Sequence, residues 1–199
     1  MRPPRLILAS TSRYRRALLE RLGVPFEAIA PSVDEAPAKA EALVQGCTPA
    51  QVAGRLAALK ARSVAALHPD AVVIGSDQVC CLGAQILDKP GSRARAIEQL
   101  RHLAGRTHEL HTGVSILGPG DFASETCVTD RLTMLALDDA AIARYVDRDQ
   151  PFDCAGSYKL EAAGIGLFAR VETEDSTSVT GLPLLVVAAI LRGLGFVIP

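Results

Sequence analysis

The sequence has no surplus of positive charge: 21 Lys and Arg stand against 22 Asp and Glu, a formal net charge of −1. A protein that binds nucleic acid by neutralising many phosphates needs such a surplus, so that class is disfavoured, although a few local cations can still hold a small anion. No apolar run reaches the roughly 20 residues that span a bilayer. The longest candidate, GLPLLVVAAILRGLG, is interrupted by Arg192 and reads as a buried C-terminal helix. The opening MRPPRLILAST has too short an apolar core for a secretory signal. No CxxC occurs, and the five cysteines (Cys47, Cys80, Cys81, Cys127 and Cys154) are an odd number in a chain too long to need disulfide staples. The expectation is a reduced, cytoplasmic protein with free structural thiols. There is no GxxxxGK(S/T) phosphate loop and no HExxH. Of the four histidines only His108 and His111 are close, and on a strand they would point to opposite faces. Internal repeats, low-complexity tracts and long linkers are also missing.

What the chain does have is apolar content for a sizeable core: 199 residues, 49% of them hydrophobic. Residues 1–199 are expected to form one domain, or two closely packed lobes. RLILAS reads as a short buried strand, and TSRYRRALLERLG as a helix capped by Ser or Thr, stopped by Gly23, with Leu18, Leu19 and Leu22 on one face. PFEAIAPSVDEAP reads as a strand running into an acidic loop. CTPAQVAGRLAALKARSVAAL is the clearest helix, with Thr48 as cap and Pro49 at the first helical position. DAVVIGSDQVCCLGAQIL is two strands or one bent strand, with Asp77 and Gln78 where the first apolar run ends. KPGSRARAIEQLRHLAG gives a loop and a helix capped by Ser92. THELHTGVSILG and ETCVTDRLTMLAL form a plausible antiparallel pair, and DDAAIARYVDR a helix capped by Asp138. CAGSYKLEAAGIGLFARVE contains a glycine-punctuated strand, and a last helix begins at Pro183. Helices alternating with strands and hairpins predict an α/β fold with a mixed sheet.

Polar residues gather at the ends of the apolar runs, which is where open α/β sheets bind ligands. In ASTSRYRR, a helix N-terminus with Ser10, Thr11 and Ser12 would attract anions, and Arg13 and Arg16 share a face. Asp34 and Glu35 in PSVDE could hold Mg²⁺. Asp77 in GSDQ suits a general base or metal ligand on a rigid mount. Lys60, Lys89 and Lys159 could serve a triphosphate. Each feature alone also fits a capped helix, an acidic turn or a solvated cation. From the residues themselves the reading reaches metal-assisted phosphate chemistry and stops there.

Taken together and in order, LILASTSRYRRALLERLG, VDE, GSDQVC, KPG, GRTHELHTG, CAGSYKLE and GLPL resemble the Maf family of nucleotide pyrophosphatases over nearly the whole chain. STSRYRRALL, SDQVC and FDCAGSYKLEAAGI further resemble the branch acting on 7-methyl-GTP. The resemblance implies an inosine-triphosphatase-like α/β fold: a mixed twisted sheet with flanking helices, in two lobes around a central cleft. It also implies hydrolysis of a nucleoside triphosphate to monophosphate and pyrophosphate with a divalent cation, Mg²⁺ or Mn²⁺. The family's catalytic acid falls on Asp77, and its metal-binding acid on Glu35, with Asp77 as a further ligand. Its phosphate-binding residues fall on Ser10, Arg16, Lys60, Lys89 and Lys159, with Arg13 beside them. Its specificity positions fall on Tyr14, Gln78 and Glu161. An N7-methylated guanine is cationic, so Tyr14 would attract it by about 0.5–2 kcal/mol. Glu161 could accept from the guanine edge and Gln78 could both donate and accept. Two positions depart from the family: Asp88 stands where a glycine usually precedes the lysine of KP, and LEAAGI replaces a bulkier pattern around Glu161.

Other readings stay open at this point. One is a preference for dTTP and UTP, or for a broader set of modified nucleotides. Another is a nucleotide-binding regulator of cell division without catalysis. The expected partner is a small nucleotide, with no nucleic-acid polymer and no membrane. A homodimer is compatible with the sequence, although nothing marks its face.

Overall fold

Strand β1 (Arg5–Ala9) reads RLILA, and the two-residue period of a strand sends its side chains to opposite faces. Leu6 and Leu8 enter one apolar cluster, while Ile7 and Ala9 enter another. Strand β3 (Ala71–Leu82) divides the same way, Val72 and Ile74 joining the first cluster and Ala71 and Val73 the second. Strands that are apolar on both faces suit interior parallel pairing. Accordingly β1 runs parallel to β3 on one side and to β2 (Glu27–Ile29) on the other. The computed structural model describes residues 4–199.

The seven strands form an open mixed sheet in the order β2-β1-β3-β5-β6-β7. Strand β4 (Gln85–Leu87) pairs antiparallel with β3. Strands β5 (Thr107–Gly118) and β6 (Phe122–Met134) are neighbours, and β7 (Phe168–Glu172) pairs antiparallel with β6. By contact density the chain divides into two compact units. The first runs to Gln78 and takes in Thr112–Val128 and Asp175–Pro199; the second comprises Val79–His111 and Thr129–Glu174.

In the first unit, helix α1 (Arg13–Glu20) brings Leu18 and Leu19 onto one face of the sheet, and α6 (Leu184–Gly193) adds Leu184, Val187 and Leu191. Helix α3 (Pro49–Ala65) belongs to the other cluster through Val64. Its backbone lies hard against β3 at Gly75, where an added Cβ would stand 2.6 Å from the Ala61 nitrogen. Burying each large apolar side chain is worth about 1.5–3 kcal/mol. Exposed ion pairs such as Arg5–Glu27 are worth about 0–1 kcal/mol, so the two sheet faces hold the unit together.

Thr48 caps α3 in a full capping box with Gln51, and Pro49 opens the helix, as the sequence predicts. The acidic loop expected at VDE is instead the start of helix α2 (Glu35–Val44), which packs on α3. Asp34 caps it, accepting from the Ala36 N–H at 3.1 Å, and Pro37 lies in the first turn, where a missing N–H does no harm. In the second unit, α4 (Arg93–Leu103) and α5 (Asp139–Asp149) pack on each other, capped by Ser92 and Asp138.

Two further expectations change. First, β3 does not end at Asp77 but continues to Leu82, with only Gln78 and Leu82 of its residues more than marginally exposed. Second, only Phe168–Glu172 of the glycine-punctuated stretch is strand. Residues before it form a loop and a short 3₁₀ turn (Ala163–Leu167). Bonds from distant positions hold that loop: Tyr145 Oη accepts the Lys159 N–H at 2.9 Å, and Asp149 Oδ2 accepts the Ala163 N–H at 3.0 Å. No helix among the described residues is long and apolar enough to cross a membrane.

Candidate active site

Strand alternation decides what each polar residue of GSDQ can meet. Asp77 has the parity of Val73 and Gly75, so it points to the face that α3 covers; Ser76 and Gln78 point to the other. On α3 the residue waiting for Asp77 is Lys60. Its Nζ donates to Asp77 Oδ1 at 2.6 Å and pairs with Glu35 Oε2 at 2.9 Å. Lys60 and Asp77 are buried, while Glu35, mounted at the head of α2 by the Asp34 cap, is half exposed. Three elements therefore bring two carboxylates and one ammonium together, a cluster with one net negative charge. Both carboxylates converge on a single cationic atom and so face a common point. An all-oxygen pair of this kind fits a hard divalent cation such as Mg²⁺ or Mn²⁺, which takes one or two carboxylates and completes its shell with phosphate oxygens.

Arg15 is the residue that sequence reasoning missed. Its Nε donates to the Gly181 carbonyl at 2.9 Å. Burial pulls the guanidinium below its ordinary value, and the negative charges of Asp77 and Glu35 oppose that shift, so Arg15 lies within electrostatic reach of both carboxylates. The signal was present in the sequence. Arg15 stands three and four residues before Leu18 and Leu19, on the face that turns inward. Gly181 adopts φ +103°, which presents its carbonyl to Arg15 and also to Ser76 Oγ at 2.9 Å. The segment that carries it is fixed by buried Asp175, which accepts from the Thr177 N–H at 2.9 Å and the Leu185 N–H at 2.7 Å.

Around the start of α1, Ser10 is buried at the end of β1, its Oγ accepting from the Ser12 N–H at 3.1 Å, and Ser12 in turn caps the helix. The Arg13 guanidinium lies 4.8 Å above the Tyr14 ring and donates to its hydroxyl at 2.7 Å. Arg16 turns along the helix surface onto Glu20 at 3.2 Å. Gln78 uses its amide nitrogen internally, donating to Thr112 Oγ1 and to the Ser178 carbonyl, each at 2.9 Å. Its carbonyl oxygen is the end that faces away from those acceptors.

The remaining candidates belong to the second unit. Lys89 is exposed, on a loop whose Asp88 carbonyl is bonded by Gln99 at 2.7 Å. Glu161 is exposed in a turn. Lys159 is nearly buried, and its Nζ donates to the carbonyls of Asp149 and Gln150 at 2.9 and 3.2 Å, with Asp153 Oδ1 at 3.6 Å. It thus satisfies the open carbonyl end of α5. The second unit also holds Cys81, Glu109 and His111 with their donor atoms within 4.8 Å of one another.

A carboxylate–ammonium–carboxylate cluster on an α/β sheet is compatible with phosphate chemistry, and the chain's relatives narrow the class. Residues 5–194 match the family model described as Maf-like protein, and the chain belongs to that family. It is 48% identical over 196 residues to a 7-methyl-GTP pyrophosphatase of Xanthomonas oryzae pv. oryzae, covering 98% of this chain and 100% of that one. It is 46% identical over 201 residues to the 7-methyl-GTP pyrophosphatase of Aromatoleum aromaticum, covering 100% of both. Among solved structures, the Staphylococcus aureus Ham1 protein shares the fold at a TM-score of 0.55 and 16% identity, over 95% of this chain and 98% of that one.

Proposed function

We propose that this chain is a cytoplasmic house-cleaning enzyme that hydrolyses a nucleoside triphosphate, 7-methyl-GTP foremost, to the monophosphate and pyrophosphate. The observation that carries the proposal is Lys60 held between buried Asp77 and Glu35, in a family whose near relatives bear that activity in their names. Asp77 acts as the base, taking the proton from a water that attacks the α-phosphorus in line. Lys60 fixes the direction of the Asp77 carboxylate and balances part of its charge. Ser10, Arg15 and the α1 N-terminus supply donors to phosphate oxygens, with Arg13, Arg16, Lys89 and Lys159 as the further basic residues of the chain's motifs. Glu35 and Asp77 would hold Mg²⁺ or Mn²⁺, which when bound neutralises charge developing on the phosphate oxygens.

Base selection rests on Tyr14, Gln78 and Glu161. With its amide nitrogen already bonded, Gln78 offers the base an acceptor, and Glu161 is an acceptor too; the guanine edge, with its N1–H and exocyclic amine, is rich in donors. A cationic base must compete with Arg13 for the Tyr14 ring, so that contact is worth less than the about 0.5–2 kcal/mol of an unshared pair.

A panel of 7-methyl-GTP, GTP, dTTP and UTP, assayed for pyrophosphate release with and without Mg²⁺ or Mn²⁺, tests the reading. The expected result is metal-dependent release with 7-methyl-GTP turned over best. Asp77→Asn should lower turnover by about 10²–10⁴-fold. A strong pyrimidine preference would refute the roles of Tyr14 and Glu161. A triphosphate bound for hours without hydrolysis would point to the regulator instead.

A further inference from the structure

We propose that Cys81 Sγ, His111 Nε2 and the Glu109 carboxylate form a second metal site, for Zn²⁺ or a similar borderline transition-metal ion, sharing no residue with the Asp77–Glu35 oxygen pair. Glu109 and His111 are two apart on β5 and therefore lie on one face of it. Cys81 approaches from neighbouring β3, while the adjacent Cys80 points to the other face and meets Tyr158. His111 Nε2 is 3.4 Å from Cys81 Sγ and 3.4 Å from Glu109 Oε2. A tetrahedral ion with metal–sulfur bonds of about 2.3 Å and metal–nitrogen or –oxygen bonds of about 2.0–2.1 Å sets neighbouring donors about 3.3–3.6 Å apart. Two of the three edges already have that length, and the third, Cys81 to Glu109, is within 4.8 Å.

The surroundings match what ligands of such an ion need. His111 Nδ1 lies 2.9 Å from Thr129 Oγ1, and an Nδ1–H donated there leaves the Nε2 lone pair facing Cys81 and Glu109. Burial, the largest influence, disfavours the charged imidazolium, which keeps the ring in the ligating neutral form. The Arg131 guanidinium donates to Glu109 Oε1 at 3.0 Å, so Oε2 is the oxygen turned to His111. Cys81 and His111 are buried, whereas Glu109 is 33% exposed, which gives an ion access and leaves the fourth position to water. The donor set excludes the hard cations of phosphate chemistry, since Mg²⁺ takes oxygen and sulfur favours zinc-like ions. As the sulfur–metal bond forms, the Cys81 thiol proton passes to solvent.

Titration of the chelator-treated full chain with Co²⁺ tests the site. The expected result is a thiolate-to-cobalt charge-transfer band that saturates at one ion per chain, is displaced by Zn²⁺ and resists excess Mg²⁺. Cys81→Ser should abolish the band, His111→Ala and Thr129→Val should weaken binding by about tenfold or more, and Cys80→Ser and Glu35→Gln should leave it unchanged. Should Cys81→Ser fail to fold, His111→Ala and Thr129→Val read the same site through cobalt affinity. No band with the folded wild-type chain, or a band that survives Cys81→Ser, would overturn the proposal.

Discussion

Lys60 and Lys159 are both shielded lysines that the motifs mark for phosphate, yet the structure gives them different partners. Lys60, in the first unit, is bonded to two carboxylates; Lys159, in the second, is bonded to two backbone carbonyls at the end of α5. A lysine between carboxylates sits in a cluster whose net charge is still negative and can take a further cation. A lysine on helix carbonyls completes a backbone end whose acceptors have no partner within the helix. The same side chain is placed for chemistry in one region and for architecture in the other, and its partners decide which.

The largest expected effect follows directly. Lys60→Met should lower turnover by about 10²–10³-fold, while Lys159→Met should chiefly reduce stability, by on the order of 1–3 kcal/mol, with turnover of the folded protein changed far less. Steady-state kinetics beside denaturant titration separate the two. Equal losses of turnover would break the comparison and make Lys159 part of the phosphate clamp.

The next effect contrasts neighbours on α1. Arg15, buried on the Gly181 carbonyl and within electrostatic reach of Asp77 and Glu35, should matter more than Arg16, which rests on Glu20 at the surface. Arg15→Ala is expected to reduce kcat/KM by at least about tenfold more than Arg16→Ala, since a charge-assisted bond is worth about 1.5–3 kcal/mol. A larger loss at Arg16 would return the role to the surface arginine.

The smallest effect lies in the second unit and is read through pH. His108 is buried, with Nε2 2.8 Å from the Tyr158 hydroxyl and Nδ1 without a hydrogen-bond partner among the described residues, and burial lowers its pKa to about 4. A folded value below the unfolded one, about 6.5, means that the unfolded chain binds the extra proton first. The stability contributed by neutral His108 is therefore complete above about pH 6.5 and declines as pH falls toward 4. His108→Phe should flatten that decline by on the order of 1–3 kcal/mol across the window, measured by denaturant titration between pH 7 and 4. An unchanged pH dependence would show that His108 gains its proton in the fold.

Local signals were legible wherever they act over a few residues. Thr48 with Pro49, Ser92 and Asp138 start their helices where the sequence places caps. The acidic loop expected at VDE is a helix start for an equally local reason: behind an Asp34 cap, Pro37 falls in the turn that needs no N–H. Asp77 looked like a strand end because polar residues follow an apolar run. In the fold β3 continues, since Lys60 meets the buried carboxylate and the Thr112 and Ser178 oxygens meet Gln78.

The residue types and spacing alone determined the α/β class, the helix starts and the group of acids and bases that marks the family, because caps, periodicity and motif order are written within short stretches of chain. Tertiary structure alone decided which of those residues meet: Lys60 with Asp77 and Glu35, Lys159 on a helix end, and Cys81 beside His111. Those pairings join residues 9 to 30 positions apart, and no local preference specifies them. They follow from strand parity and from which helix covers which face of the sheet.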